Sequence, residues 1–325
     1  MASEPKTLQQ AILYFDDFEN CKQFMIGLRW PTGKIACPRC GAEKVTWLEK
    51  PRVWKCYAKH EKPTFTLKTG TIFEDSPIAL EKWLPAVWLI VTCKNGISSY
   101  EISRDLGISQ KSAWHMAHRI RFALHTGSFD KLSGQVEVDE TYVGGKARNM
   151  HKSAKKRRGI GGTGPQGKAI VLGILERKGK VRTHVVPTSR RKNLFEKIHA
   201  NVEAGSEVFT DSHPSYFSLG DNYEHQVIDH AKSYVEGNIH TNGLENFWSL
   251  LKRGINGTYV SVEPFHLFRY VDEQAYRYNH RKDIDGNALT DFDRFKLAMT
   301  QVVGKRLTWD QLTGKNQDLQ TRSIN

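Results

Sequence analysis

Three acidic residues lie in segments whose patterns predict two strands and a helix. Asp139 and Asp211 lie in or end runs rich in β-branched residues, and such runs are typical of strands. Glu245 lies among apolar residues at helical spacing. Carboxylates from two strands and a helix suit two Mg²⁺ ions, which take oxygen ligands and clamp both oxygens of an in-line displacement. The pattern therefore predicts a two-metal phosphoryl-transfer site.

The predicted helix also carries a polar stripe. Glu245, Ser249 and Lys252 share one face, and Asn242 lies one turn earlier on the same side. The alternative interpretation is an exposed glutamate–lysine pair, which is common and weak. The two strand aspartates ahead of the helix favour the catalytic interpretation.

Further acidic residues near these positions receive no assigned task. Alternation along a strand places Glu137 on the face of Asp139 and Glu140 on the opposite face. Asp229 follows a short β pattern and could lie near the site.

The charge of the chain favours a polyanionic partner. Its 325 residues carry a formal net charge of +13, and basic side chains that neutralise phosphates release condensed counterions. The alternative is a charge that serves solubility. A hydrophobic content of 39% supports folded cores, and the length suits two or three domains. We therefore expect a folded, nucleic-acid-binding protein.

The termini and cysteines indicate the compartment. The amino terminus is polar, without a signal pattern, and no apolar run reaches the roughly 18 residues of a membrane span. Five cysteines with one close pair favour metal ligation in a reducing compartment. We expect a cytoplasmic bacterial protein, associated with the nucleoid when bound to DNA, and no membrane partner.

A zinc site is predicted near residue 40. Cys37 and Cys40 are separated by two residues, which lets both thiolates face one ion. Cys56 and His60 would complete a Cys₃His set, and short β patterns around them outline a zinc ribbon. The alternative is that His60 is a loop residue and the site is degenerate.

Residues 98–120 have a helix-turn-helix pattern. Ser98 and Glu101 fit a capping box, Gly107 fits the turn, and Ser109 fits the cap of the second helix. The alternative is an ordinary helical hairpin. As DNA-binding residues the second helix would offer Gln110, Lys111, Ser112 and Arg119.

Residues 146–168 are rich in Lys, Arg and Gly and lack apolar periodicity, so the sequence predicts a mobile basic loop. Its central cations could hold the DNA backbone, and the alternative is a solvated insertion. These cations are Lys155, Lys156, Arg157 and Arg158.

Periodicity from residue 135 to 253 predicts three strands, a helix, a strand, a short strand and a final helix. This order matches an α/β domain with a mixed sheet flanked by helices, the RNase H-like topology. Such a fold places two aspartates on adjacent central strands and a third acidic residue on a following helix.

The chain resembles transposases of the insertion-sequence 1595 family, whose catalytic domain is called ISXO2-like. The resemblance spans most of residues 31–282. It is carried by Cys37–Cys40, Lys68–Ser76, Val138–Lys146, Asp211–Tyr216, His240–Lys252 and Arg277–Arg281.

This resemblance implies a metal-dependent DDE transposase. Its catalytic residues would be Asp139, Asp211 and Glu245, followed by Lys252, and the asparagine found in part of the family makes Asn242 the alternative third residue. The implied cofactors are two catalytic Mg²⁺ ions, with Mn²⁺ as a substitute, and one structural Zn²⁺. The implied partners are double-stranded DNA, as transposon ends and target, and further copies of the chain in a homodimer or higher oligomer on DNA.

The sequence thus predicts five regions and leaves two rival functions. The regions are a helical segment (1–30), a zinc ribbon (31–70), a helix-turn-helix (71–126), an RNase H-like catalytic domain (131–282) and a carboxy-terminal tail (283–325). An RNase H-like nuclease or resolvase would not need the amino-terminal modules. A DNA-binding regulator with an inactive catalytic domain would not need all three acidic residues.

Overall fold

The structure, a computed structural model, describes residues 4–125, 130–145, 150–157, 159–161, 166–228 and 240–314. The chain divides into two compact units: unit 1 comprises Met1–His125 and Lys282–Thr321, and unit 2 comprises Thr126–Arg281 and Arg322–Asn325. The strands of the described residues are β1 Val45–Leu48, β2 Val53–Cys56, β3 Thr64–Phe65, β4 Gln135–Val143, β5 Ala169–Glu176, β6 Val181–Val186, β7 Glu207–Asp211 and β8 Glu224–Ile228. The α-helices are α1 Leu8–Phe15, α2 Phe18–Arg29, α3 Leu80–Thr92, α4 Ser99–Leu106, α5 Gln110–Leu124, α6 Lys152–Arg157, α7 Arg191–Asn201, α8 Asn242–Arg253, α9 Leu267–Asn279, α10 Asp291–Thr300 and α11 Trp309–Leu312.

The small sheet of unit 1 is an antiparallel ribbon in the order β1-β2-β3. Trp54 lies between Trp47 and Phe65, with ring centroids 4.3 Å and 5.7 Å away. These rings give a sheet of only ten residues an apolar face, which strands this short need for stability. The predicted zinc-ribbon outline is confirmed.

The caps and the turn between α4 and α5 lie where the sequence predicts them. Ser98 and Glu101 form a reciprocal capping box at α4. Gly107 has φ +58°, a left-handed conformation that favours glycine. Ser109 caps α5 by accepting a hydrogen bond from the Ser112 N–H. Local capping therefore sets the turn between the two helices.

The segment after residue 282, which the sequence suggested was a tail, is part of unit 1 up to the end of its described residues. Phe295 of α10 is fully buried, with its ring 5.3 Å from Phe15 and 5.6 Å from Trp88. Burying an aromatic ring among others is strongly favourable. These contacts attach the segment to unit 1, so the chain of unit 1 is interrupted by unit 2.

Unit 2 contains a five-stranded sheet in the order β6-β5-β4-β7-β8. β4 pairs antiparallel with β5, and β5 pairs antiparallel with β6. On the other side, β4 pairs parallel with β7, and β7 pairs parallel with β8. Helix α7 packs on one face and α8 and α9 on the other. This is the α/β, RNase H-like architecture that the sequence predicts, with a mixed sheet between helices.

Side chains of the central strand β4 alternate between the two helical layers. Val136 and Val138 are buried in the core that includes Leu194 of α7. Glu137 and Asp139 form hydrogen bonds to α8. Period-two alternation thus directs both acidic residues toward one helix.

The basic segment differs from the expected mobile loop. Its described residues include α6, Lys152–Arg157, and the Ile160 N–H donates to the Lys155 carbonyl at 3.0 Å. Ile160 is buried and anchors the end of this short helix.

No helix among the described residues combines the length and apolarity required to cross a membrane.

Candidate active site and zinc cluster

Asp139 and Asp211 lie on adjacent parallel strands of unit 2. The register pairs Glu137 of β4 with Phe209 of β7, so two residues further Asp139 lies beside Asp211. Asp211 ends β7, and its Oδ1 accepts the His213 N–H at 3.0 Å, which orients the carboxylate. The predicted pair of strand aspartates is thus together at the centre of the sheet.

Helix α8 reaches this point through Trp248. Its indole N–H donates to Asp139 Oδ2 at 2.8 Å. The residue paired with Asp139 across β5 is Gly173, where a Cβ would lie 2.6 Å from the Trp248 ring. A glycine at this position allows the helix to approach the sheet closely enough for the bond.

The other predicted residues of α8 lie along its exposed side. Glu245 is one turn before Trp248, Asn242 is the first residue of the helix, and Lys252 is one turn after Trp248. All three predicted side chains are exposed. The helix therefore presents its polar stripe to solvent beside the Asp139 position and buries its apolar face on the sheet.

The Asp139 carboxyl has a strongly perturbed acidity. Burial, which is the largest cause, and the negative charges of Asp211 and Glu140 together raise its pKa from 3.8 to about 7, although the Trp248 hydrogen bond acts in the opposite direction. Crowded carboxylates of this kind are relieved by a bound cation. The donor set, composed of oxygen ligands with one buried and repelled carboxyl, fits Mg²⁺.

Glu140 lies close behind the site on the opposite face of β4. Its Oε2 accepts the hydroxyl hydrogen of the buried Tyr216, and its Oε1 lies 3.9 Å from His213 Nε2. Burial and the charge of Asp211 raise its pKa, and the Tyr216 bond lowers it. Tyr216 and His213 follow Asp211 in the chain, so these contacts fix the segment after β7 to β4.

The zinc-ligand set is gathered tightly in unit 1. The ligand atoms of Cys37, Cys40, Cys56 and His60 all lie within 4.8 Å of one another. Cys37 Sγ is 3.8 Å from His60 Nε2, and Cys40 Sγ is 3.6 Å from Cys56 Sγ. Three thiols and one imidazole within this distance fit a tetrahedral structural Zn²⁺. The cluster includes His60, the fourth ligand that the sequence predicts.

The carboxylates of unit 2 are less closely gathered. Among the described residues, the Cys₃His cluster is the one group of three or more His, Cys, Asp or Glu side chains whose ligand atoms lie close enough together to hold a metal ion. Asp139, Asp211 and Glu245 do not form such a group in the described part of the chain.

The predicted DNA-binding residues of α5 are already engaged within unit 1. Gln110 Nε2 donates to Ser99 Oγ at 3.0 Å, and the Ser112 hydroxyl lies 2.9 Å from that of Ser109. Lys111 is exposed, with its ammonium 4.8 Å from the centre of the Trp309 ring of α11. The structure places all three predicted residues on the first turn of α5.

Arg119, also predicted to contact DNA, is instead buried within unit 1. It is 5% exposed, donates to the Glu74 carbonyl, and lies with its guanidinium 5.5 Å from the centre of the Trp83 ring. Burial lowers its pKa to about 10. Residues 116–121 of α5 are all buried, so this part of the helix packs in the core and is not open to a groove.

Of the basic cluster, Lys156 is exposed and Lys155 is half-buried on α6. Arg157 ends α6. Arg158 lies outside the described residues.

Together, the mixed sheet, the two strand aspartates and the acidic helix define an RNase H-like domain preceded by a zinc-ribbon module. Residues 131–279 match the family described as the ISXO2-like transposase domain, and residues 17–58 match the transposase zinc-ribbon domain. The chain is also 31% identical over 241 residues to a protein in the transposable element ISH50 of Halobacterium salinarum, which covers 70% of this chain and 80% of that protein. The chain belongs to the insertion-sequence 1595 family of transposases.

Among solved structures, a chain of the simian T-cell lymphotropic virus intasome in complex with PP2A regulatory subunit B56 gamma covers 64% of this chain and 74% of its own. The identity is 12% and the TM-score 0.30. At that score the likeness adds nothing to the assignment.

Sequence reasoning missed one acidic residue of unit 2. Glu137, which received no role, is 1% exposed and bonded to the first turn of α8. Its position two residues before Asp139 on the same face was the available signal.

Proposed function

We propose that this chain is a DNA transposase that binds the terminal inverted repeats of its element and catalyses strand cleavage and strand transfer. Asp139, Asp211 and Glu245 would hold the catalytic metal ions. The observation that supports this most is the side-by-side placement of Asp139 and Asp211 on central strands, with α8 bonded to Asp139 through Trp248.

In this proposal the acidic residues bind the metal ions, and Lys252 positions the DNA. When bound, Mg²⁺ supplies the Lewis acidity that activates a water or a 3′ hydroxyl toward a phosphodiester. Trp248 holds one oxygen of Asp139, which leaves the second oxygen to the cation. Lys252, exposed on the same helix, would contact a phosphate beside the reacting strand.

Recognition of the ends is proposed for unit 1. Gln110, Lys111 and Ser112 lie on the first turn of α5, the part of a recognition helix that meets base edges in helix-turn-helix complexes. A Zn²⁺ held by the Cys₃His cluster would stabilise the ribbon that precedes this motif. Because two ends must be held together, at least a dimer is expected on DNA.

The test is a cleavage assay on the purified full chain. The protein is incubated with Mg²⁺ and plasmid that carries candidate ends, and strand breaks are mapped. We expect nicks at the element ends, loss of nicking in Asp139→Asn, Asp211→Asn and Glu245→Gln, and near-normal end binding in each variant. Asp221→Asn, which changes an exposed acidic residue of the same unit, is the matched control.

Other outcomes would identify the alternatives. Normal cleavage by Glu245→Gln together with inactivity of Asn242→Ala would make Asn242 the third ligand. Cleavage without preference for the ends would indicate an RNase H-like nuclease. End binding without cleavage under any metal would indicate a regulator derived from a transposase.

A further inference from the structure

A buried glutamate joins the central strand of unit 2 to the start of α8. Glu137 of β4 is 1% exposed, and its Oε2 accepts the backbone N–H of Leu244 at 3.0 Å. Its Oε1 lies 3.1 Å from Arg177 Nε and 3.4 Å from His240 Nδ1. Both carboxylate oxygens therefore have partners, and a buried charge requires such partners to be tolerated.

Arg177 extends this bond network around the helix start. Its Nη2 donates to the His240 carbonyl at 2.8 Å, and its guanidinium lies 3.9 Å from the centre of the Phe209 ring of β7. The network thus joins β4, the residue after β5, β7 and a residue two positions before α8 into one cluster. These are the same strands that carry Asp139 and Asp211.

Glu137 also takes over the capping of α8. Within the described residues, the N-cap Thr241 makes no side-chain hydrogen bond to the first turn. The first N–H groups of a helix need acceptors, and a negative charge near them is favourable. Glu137 supplies both from the sheet, 107 residues earlier in the chain.

Two hydrogen bonds set the position of α8 along β4. Glu137 binds Leu244, and Asp139 binds Trp248. Two residues of a strand span about 6.6 Å, and four residues of a helix span about 6.0 Å. The two spacings match, so a shift of the helix by one residue would break both bonds.

Where α8 meets Glu137, the packing leaves no room for a side chain at position 243. A Cβ added at Gly243 would lie 2.8 Å from Glu137 Oε2 and would also overlap Leu175. Gly243 therefore permits the close approach of the helix start to Glu137. Glu245, two residues further on, is exposed at this anchored turn.

We infer that Glu137 is a positioning residue of the catalytic site: its hydrogen bond to Leu244 fixes the first turn of α8 so that Glu245 can bind metal together with Asp139 and Asp211. This inference rests on the proposed function, since it takes Glu245 as a ligand. Removing a residue that holds a metal ligand in place typically lowers metal affinity by about 10- to 100-fold.

The experiment titrates Mn²⁺ into the full chain with its zinc cluster loaded, and electron paramagnetic resonance counts the bound Mn²⁺. We expect Glu137→Ala to weaken Mn²⁺ binding by about tenfold or more. Glu137→Gln keeps an acceptor oxygen for Leu244 and should recover part of this affinity. Glu207→Gln, which removes a carboxylate of β7 bonded to Gln135 and Gln226, is the matched control and should bind as the wild type does.

A second variant separates positioning from folding. Gly243→Ala keeps Glu137 but pushes the helix start away from it, so it should reproduce the loss of Mn²⁺ affinity. Circular dichroism at low temperature checks that each variant is folded before titration. Folded Glu137→Ala and Gly243→Ala proteins with wild-type Mn²⁺ affinity would overturn the inference. If the wild type binds Mn²⁺ at Asp139 but does not cleave ends, the proposed function fails while the positioning role of Glu137 stands.

Discussion

The zinc cluster and the carboxylate site organise metal ligands in opposite ways. The zinc ligands come from 24 residues of chain, Cys37 to His60, and lie within 4.8 Å of one another. The carboxylates come from two strands and a helix spread over residues 139–245, and they do not converge to that degree. A structural site contributes folding energy by being closed, whereas a catalytic site keeps an open position for water or substrate.

This difference also appears in the acidity of the ligands. At Cys37, burial raises the pKa, but hydrogen bonds from the Arg39 and Cys40 backbone and from the Cys40 and Cys56 side chains together outweigh it, and the net pKa is lowered. At Asp139 burial and two neighbouring carboxylates raise the pKa to about 7. Of the zinc ligands, Cys37 thus favours its anionic form, while burial and the neighbouring thiols of Cys40 and Cys37 raise the pKa of Cys56. At the proposed catalytic site, the surroundings of Asp139 oppose its anionic form. If this contrast governs stability and activity, substitutions at the two sites should have opposite effects on the stability of the protein.

The largest expected effect is on the zinc cluster. Apparent binding energies of structural zinc are about 10–16 kcal/mol, and this energy is folding energy. Cys37→Ser should therefore lose zinc and unfold the ribbon. Metal analysis should find about one zinc per wild-type chain, and proteolysis should cut residues 31–70 in the variant first. A full zinc content in His60→Ala would remove His60 from the ligand set.

The opposite result is expected at the catalytic site. Asp139→Asn should reduce cleavage by about 10³-fold or more, because a several-kcal/mol metal contribution is lost. The same change should stabilise the metal-free protein at pH 8, since it removes a buried, repelled charge. A pKa raised from 3.8 to about 7 corresponds to at most roughly 4 kcal/mol. Thermal unfolding in EDTA-free, magnesium-free buffer measures this stability. An Asp139→Asn protein less stable than the wild type would contradict the expectation that the buried Asp139 charge destabilises the metal-free protein.

The pH dependence follows from the same group. Because its folded pKa is raised, Asp139 binds a proton in the folded state between pH 3.8 and about 7, where the unfolded chain has released it. Its contribution to stability is therefore present below pH 3.8 and lost as pH rises through about 7. Cation binding must displace this proton, so Mn²⁺ affinity should rise about tenfold per pH unit below pH 7 and level off above it. Affinity that is flat from pH 5 to 8 would disagree with this assignment.

A smaller effect is expected for the hydrogen bond that supports the Asp139 anion. Trp248→Phe removes the indole donor, and hydrogen bonds to charged groups contribute about 1.5–3 kcal/mol. The Asp139 pKa should therefore rise by about one further unit, and the pH midpoint of cleavage should move up with it. Trp83→Phe, which removes an indole donor to Ser76 in unit 1, is the control. An unchanged midpoint in Trp248→Phe would show that the bond does not tune Asp139.

The features that the sequence predicts correctly are those formed by residues close together in the chain, as the zinc ligands are. Local patterns determined the ribbon strands, the caps of α4 and α5, and the zinc spacing, because each depends on residues within a few turns of one another. Apart from α6, the order of strands and helices along the chain from β4 to α8 followed from alternation and helical periodicity. These features are set by short-range sterics and hydrogen bonding, which a single sequence displays.

What the sequence could not predict depends on packing partners distant in the chain. Arg119 has the pattern of a helix cation, yet Trp83 and Glu74 of other segments bury it. Phe295 packs against Phe15 of unit 1, which lies 280 residues earlier in the chain, and no local sequence pattern predicts this contact. Glu137 is read as an ordinary strand residue until the Leu244 N–H is placed against it.

The smallest expected effect concerns the basic helix α6, whose cations can only contact phosphates. Changing Lys155 and Lys156 to Ala should weaken binding to all DNA alike, and each lost phosphate contact should reduce the slope of log K against log salt by about 0.9.

Gln110→Ala with Ser112→Ala is the contrasting pair, because these side chains can read base edges. That pair should cost about 1–3 kcal/mol per lost base contact, on the end sequence only. Fluorescence anisotropy on end and random duplexes across salt concentrations measures both. Since unit 1 includes the segment after residue 282, the binding studies should use the full chain. A lysine pair that affected only the end sequence would reverse the roles assigned to the two units.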